Sequence, residues 1–229
     1  MMEYVFEPSQ IPTVAVKGTS KRFPVRRIFC VGRNYAEHTR EMGGDPDREP
    51  PFFFTKPADA VVDSGAKIPF PQATNSLHHE MELVVAISKG GVNIAQETAS
   101  DHIFGYGAGI DLTRRDLQQI AKDKRRPWDS GKAFDQSAPC AALTIATEVS
   151  DITNSKIWLT VNGETRQSAT IADLIWSIEE VIAFLSAEFA LKPGDLIYTG
   201  TPAGVGAIQS GDKIEGCIEG LTPIAITLK

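Results

Sequence analysis

The strongest constraint in this sequence is how its apolar residues are parcelled: short runs closed off by Gly, Pro and Asn, with few long stretches of helical periodicity. Runs of that length suit strands, which alternate side chains between two faces and need only a handful of residues to cross a sheet. The pattern predicts strands over Arg27–Val31, Pro51–Thr55, Met81–Ser88, Ile103–Ile110, Lys156–Val161, Asp195–Thr199 and Ile224–Leu228. Asn162-Gly163 tolerates positive φ and predicts a hairpin into the polar Glu-Thr-Arg-Gln-Ser segment that follows. Helices are fewer. Ser177-Ile178-Glu179-Glu180 reads as a capping box opening a helix whose apolar face runs from Val181 to Phe189, with Lys192-Pro193-Gly194 as its stop. A second helix is expected from Asp111 through Ala121, and a short one from Tyr35 to Met42, ended by Gly43-Gly44. The chain therefore reads as a sheet-rich α+β domain over residues 25–229, preceded by a lead-in over residues 1–24.

Charge and cysteine content narrow the function classes. A net charge of −6 argues against nucleic acid as a partner, which needs Lys and Arg concentrated on one face. A small anionic substrate stays open, because only the local field of a pocket matters to it. Cys30, Cys140 and Cys217 form no C-x-x-C pair and read as reduced thiols of a cytoplasmic protein. No apolar run approaches the roughly 20 residues of a membrane span, and the amino terminus lacks the pattern of a secretory leader.

Two acids interrupt the most apolar strand. In His79-Glu80-Met81-Glu82-Leu83-Val84-Val85 the carboxylates of Glu80 and Glu82 are two residues apart, so both leave one face while Met81, Leu83 and Val85 take the other. Like charges so close repel unless protons or a cation compensate. Oxygen ligands favour Mg²⁺, Mn²⁺ or Ca²⁺ over zinc. Asp111, ending the Gly-rich run Gly105–Asp111, is a candidate third ligand. Spacing alone fits exposed acids as well. His38 and Glu41 stand at i and i+3 of the short helix, where a carboxylate can orient and activate an imidazole base; a solvated helix surface has the same spacing. The Thr199–Gly206 segment offers backbone N–H groups and Thr201 to an anion, or is a plain turn. Lys56 and Lys132 are cations beside apolar stretches that a buried pocket could use against an oxyanion. The basic run Lys122–Arg126 reads as a solvated loop.

These segments, in this order, resemble the fumarylacetoacetate hydrolase superfamily: Gly32-Arg-Asn-Tyr35 with His38 and Glu41, Phe53-Phe-Thr-Lys-Pro57, His79-Glu-Met-Glu82, Asp111-Leu-Thr-Arg-Arg-Asp116 and Thr199-Gly-Thr-Pro-Ala-Gly204. The likeness runs from about residue 25 to the end. Within the superfamily, the stretches Arg22–Val31 and Asp45–Phe52 look most like bacterial fumarylpyruvate hydrolases. The resemblance implies a mixed β-roll or compressed barrel with peripheral helices, assembled as a homodimer. It implies Mg²⁺ or Mn²⁺ on Glu80, Glu82 and Asp111, with Ca²⁺ able to substitute in crystals. It also implies a water-activating dyad in His38 and Glu41, catalytic charge from Lys132, and Arg115, Gln118 and Thr201 at the ketoacid end of the substrate. The reaction implied is hydrolysis of the carbon–carbon bond of an acylpyruvate, such as fumarylpyruvate in aromatic catabolism. Oxaloacetate decarboxylation or hydroxymuconate-type isomerisation fits the same ligands, and a non-catalytic protein stabilised by its metal is the reading from another class.

Overall fold

In the computed structural model, residues 3–41 and 49–229 are described, with backbone alone for 39–41. An eight-stranded mixed sheet forms the frame, in the order Phe52–Lys56, Arg27–Gly32, Asp195–Tyr198, Met81–Ile87, Ile103–Ile110, Ala138–Cys140 and Val61–Asp63, with Thr144–Ile145 also pairing to Ile103–Ile110. A five-stranded sheet runs Glu164–Thr170, Lys156–Val161, Lys213–Ile218, Ile224–Leu228 and Lys67–Ile68, and smaller ribbons fill the rim. The fold is the sheet-rich curled roll expected from the sequence, with helices at its periphery.

Met81–Ile87 lies at the centre, buried at every position. Its alternation sorts the core into two. Met81, Leu83, Val85 and Ile87 pack with Ile157, Leu159, Ile214 and Ile226 of the five-stranded sheet. Val84 and Ala86 point the other way, into a second cluster with Ile28, Cys30, Leu196 and Tyr198. That second cluster also takes Val14 and Phe23, so part of the 1–24 lead-in is packed onto the domain. Tyr4, Val5 and Phe6 remain exposed. Asp195, fully buried, is gripped by Arg26 and Arg27 at 3.0 Å each and accepts the Lys192 N–H at 2.8 Å. This clamp fixes the parallel pairing of Asp195–Tyr198 with Arg27–Gly32 and so places the loop that follows Tyr198 beside the start of the Met81 strand.

Helix boundaries depart from the sequence expectations. The capping box at Ser177 is formed, but the helix is Ile178–Glu188 and stops before Phe189, which turns extended and half-exposed. The helix expected from Asp111 begins only at Arg115, because Thr113 and Arg114 pair with His78 and Leu77 as a short strand. The first helix is described over Ala36–Glu41; Met42 and Gly43-Gly44 fall outside the described residues. Among the described residues, no helix is long and apolar enough to cross a membrane.

The glycines of Gly105–Asp111 are required by packing. A Cβ at Gly109 would stand 2.4 Å from Val84 Cγ2 and 2.7 Å from the Tyr198 ring. Gly109→Ala is expected to destabilise the fold by about 1–3 kcal/mol, seen as a lower denaturation midpoint at unchanged m-value. A variant with the parent midpoint would contradict this packing.

Candidate metal centre

Two neighbouring antiparallel strands bring the acids together. Glu82 lies opposite Gly109, and the Asp111 N–H donates to the Glu80 carbonyl at 2.8 Å, so Glu80, Glu82 and Asp111 leave the same face. One carboxylate oxygen from each lies within 4.8 Å of the others, and all three residues are buried. The loop after Tyr198 closes over them. Gly200, at φ +102°, stands where a Cβ would meet that of Asn34 at 2.8 Å, and its N–H donates to Glu82 Oε2 at 2.9 Å. Asn34 holds the loop by donating to the Thr199 carbonyl at 2.8 Å and accepting the Trp176 N–H at 2.8 Å. The group held by this Gly-rich loop is therefore the protein's own Glu82 carboxyl.

Three cations face the acids. Lys132, at the end of the short helix Asp129–Lys132, uses its three N–H donors on Glu80 Oε2 at 2.8 Å, Asp111 Oδ2 at 2.7 Å and Thr113 Oγ1 at 2.6 Å. Arg115 pairs with Glu80 Oε1 and donates to Gln118 Oε1 at 2.6 Å. Lys56 lies 2.8 Å from Asp111 Oδ1 but aims its hydrogen bonds at the Leu112 and Lys132 carbonyls. Asp111 Oδ1 is thus in ion-pair range yet accepts no hydrogen bond.

This arrangement splits the carboxyls electrostatically. Burial would raise the Glu80 pKa, but Lys132 and Arg115 outweigh it and pull the group below its ordinary range. Burial also opposes the charge on Lys132, and there Asp111 and Glu80 win, holding it protonated. Glu82 makes no ion pair among the described residues. Burial first, then the charges of Asp111 and Glu80, push it well above the usual carboxylate value. An Asp111 oxygen met by Lys56 alone, a Glu82 carboxyl with no ion pair among the described residues and an all-oxygen donor set fit a hard divalent cation such as Mg²⁺ or Mn²⁺.

The acids open into a cavity of about 40 Å³, room for roughly three waters. His38, Arg115, Gln118, Lys132 and Thr201 line it with the three acids, which places every described residue of the expected set in one cleft. Glu41 occupies the last position of the His38 helix, and its side chain lies outside the described residues. His38 is buried. The cleft mouth carries Phe52, Phe54 and Trp128, whose rings meet at centroid distances of 5.4 and 5.7 Å, together with Arg33 and Lys122. Lys122 was expected in a solvated loop; it is half-buried in the Arg115–Asp123 helix, where burial and the neighbouring Arg33 and Arg115 lower its pKa. Sequence reasoning passed over Thr113 and Gln167, and no local pattern marks either.

The sequence from 27 to 229 matches the family model described as fumarylacetoacetate (FAA) hydrolase C-terminal. A fumarylpyruvate hydrolase from Ralstonia sp is 47% identical over 189 residues, 82% of this chain and 98% of that one. The oxaloacetate tautomerase YcgM of Escherichia coli is 42% identical over 205 residues, 89% of this chain and 93% of that one. Among solved structures, the fumarylpyruvate hydrolase of Pseudomonas aeruginosa in complex with Mn²⁺ and pyruvate is 48% identical with a TM-score of 0.96, covering 99% of each chain.

A cation must compete with a proton for Glu82, whose carboxyl burial and the charges of Asp111 and Glu80 push above its ordinary range. Mn²⁺ affinity is therefore expected to rise with pH by up to about tenfold per unit, between the ordinary carboxylate value and the raised one. Since the folded-state pKa exceeds the unfolded one, the metal-free fold loses stability as pH climbs through that window, and the thermal shift on adding Mn²⁺ grows with it. Calorimetric titration at several pH values checks both; in Glu82→Gln, affinity is expected to be at least about tenfold weaker and flat with pH.

Proposed function

The chain belongs to the fumarylacetoacetate hydrolase family, and on that premise we propose that it cleaves fumarylpyruvate to fumarate and pyruvate. It is a hydrolase of carbon–carbon bonds. The observation that carries the substrate reading is the asymmetry of one cleft: buried acids and fixed cations at its floor, aromatic rings and further positive charge at its mouth. The floor suits the oxygens of a pyruvyl group, as the pyruvate held by the Pseudomonas aeruginosa relative supports. The mouth suits a flat, conjugated acyl chain ending in a carboxylate, against Phe52, Phe54 and Trp128 with Arg33 and Lys122 nearby.

When bound, a divalent cation supplies Lewis acidity and a template for two ketoacid oxygens. Arg115, its guanidinium braced by Gln118, meets the substrate carboxylate, and Thr201 adds a hydroxyl. His38 takes a proton from the water that attacks the acyl carbonyl, and Glu41, three residues further along the helix, orients it. Lys132 faces the floor as an ammonium and stabilises the negative charge left on the pyruvyl half when the carbon–carbon bond breaks.

The relative named oxaloacetate tautomerase favours one other reading, in which His38 moves a proton at carbon rather than at water. With Mn²⁺ or Mg²⁺, the purified protein is expected to convert fumarylpyruvate stoichiometrically to fumarate and pyruvate. His38→Ala is expected to lower kcat by about 10²–10⁴-fold at unchanged Mn²⁺ affinity. A kcat/KM for oxaloacetate tautomerisation far above that for hydrolysis would overturn the assignment.

A further inference from the structure

Glu164–Thr170 is a polar strand of the five-stranded sheet that turns one polar side chain fully inward: Gln167, 1% exposed. Its amide has a single possible orientation. The Met81 N–H can only donate, and it reaches one amide atom at 3.0 Å, which must therefore be Oε1. The Pro202 carbonyl can only accept, and it meets the other atom at 2.8 Å, which must be Nε2. Two consequences follow for the neighbours. His79 Nδ1, 3.0 Å from Oε1, carries the ring proton. Thr201 Oγ1, 2.8 Å from Nε2, is an acceptor toward Gln167. A hydroxyl has one hydrogen, and accepting from Gln167 leaves that hydrogen to point elsewhere. Among the described residues it has no protein acceptor, and Thr201 lines the cleft.

We propose that Gln167 is a positioning residue which fixes the Thr201 hydroxyl as a hydrogen-bond donor into the cleft, toward an oxygen of the bound ketoacid. The inference rests on the ketoacid site proposed above. Gln167 comes from the second sheet and is not among the residues that line the cleft. Its amide is anchored to the Met81 backbone, one residue from Glu80 and from Glu82, so the donor and the acids are held in one frame. A hydroxyl committed to donating favours an anionic or carbonyl oxygen at that point over a ligand hydroxyl or amine.

Gln167→Glu tests this, because it keeps the shape but puts an acceptor where the amide NH₂ stood; Thr201 then donates to it and is withdrawn from the cleft. The measurement is calorimetric binding of pyruvate and of oxalate to the Mn²⁺-loaded protein. Binding is expected to weaken about tenfold or more while the Mn²⁺ dissociation constant stays within about twofold. In a Thr201→Val background the same change is expected to cost nothing further, because the hydroxyl it acts through is gone. Equal losses in both backgrounds, or parent-like affinity in Gln167→Glu, would sink the proposal. If Gln167→Glu folds poorly, Gln167→Met is the second variant: a several-fold loss is expected only while the Thr201 hydroxyl is present, and a loss independent of it counts against the idea. The binding readout does not depend on which bond is broken. Coupling without fumarylpyruvate hydrolysis removes the reaction assignment alone, and hydrolysis without coupling removes this inference alone.

Discussion

Three carboxylates confined within 4.8 Å of one another, away from water, are the condition to which the rest of the molecule answers. Such charges repel strongly in a medium of low polarity, and each must find a cation, a donor or a proton. Lys132 spans Glu80 and Asp111, Arg115 takes the outer oxygen of Glu80, and Lys56 stands against Asp111. These cations arrive from three separate elements, so the electrostatic need is also what ties the edge strand and two short helices to the central pair of strands. The balance is incomplete by design of the backbone. Among the described residues, Glu82 receives the Gly200 N–H alone and one oxygen of Asp111 meets only the Lys56 ammonium, which leaves the place where a cation gains most.

Much of this was legible because the acids break an otherwise apolar strand, and period-two alternation fixes the face they leave. Ile103–Ile110, Lys156–Val161 and Ile224–Leu228 follow the apolar pattern to the residue. Where the pattern is weak the reading fails for identifiable reasons. Lys213–Ile218 alternates, but Glu215 and Gly216 dilute it; Gly216 is there because a Cβ would press on Met81 Sδ at 2.5 Å. Glu164–Thr170 is announced only by its turn, since six of its seven side chains are not buried. The start of the helix after Asp111 is set by pairing with a strand more than thirty residues earlier, which no local window contains.

The site was less legible than the fold for the same reason. Lys56 and Thr113 gain meaning only when Asp111 and Lys132 are beside them, and Gln167 only when the two sheets meet. The family resemblance supplied the roles of Arg115, Gln118, Lys132 and Thr201; the residues alone had marked only Lys132, as a cation beside an apolar stretch, and Thr201, in a Gly-rich segment. Their geometry adds what the motifs lack, namely which atoms are already committed. Lys132 has no donor to spare in this arrangement, whereas Thr201 has one. An incoming ligand oxygen that is to accept from Lys132 must therefore displace one of its partners, while it can accept from Thr201 as that hydroxyl stands.

This difference bears on how related proteins can carry different names on one platform. The floor of the cleft is bound into the sheet by ion pairs and backbone contacts, and altering it disturbs the fold as well as the chemistry. The mouth is built from side chains on the edge strand and on the segment around Trp128; Phe54 packs against the core, but Phe52 and Trp128 stay partly exposed. Change is therefore cheaper at the mouth than at the floor. A base such as His38 faces either a water or a carbon-bound proton, depending on where the acyl group is held. In the proposed reading the selection is made by Phe52, Phe54 and Trp128, which fix the acyl carbonyl relative to the base. Recognition of the ketoacid would then be common to hydrolases and tautomerases, and the wall would determine which proton moves.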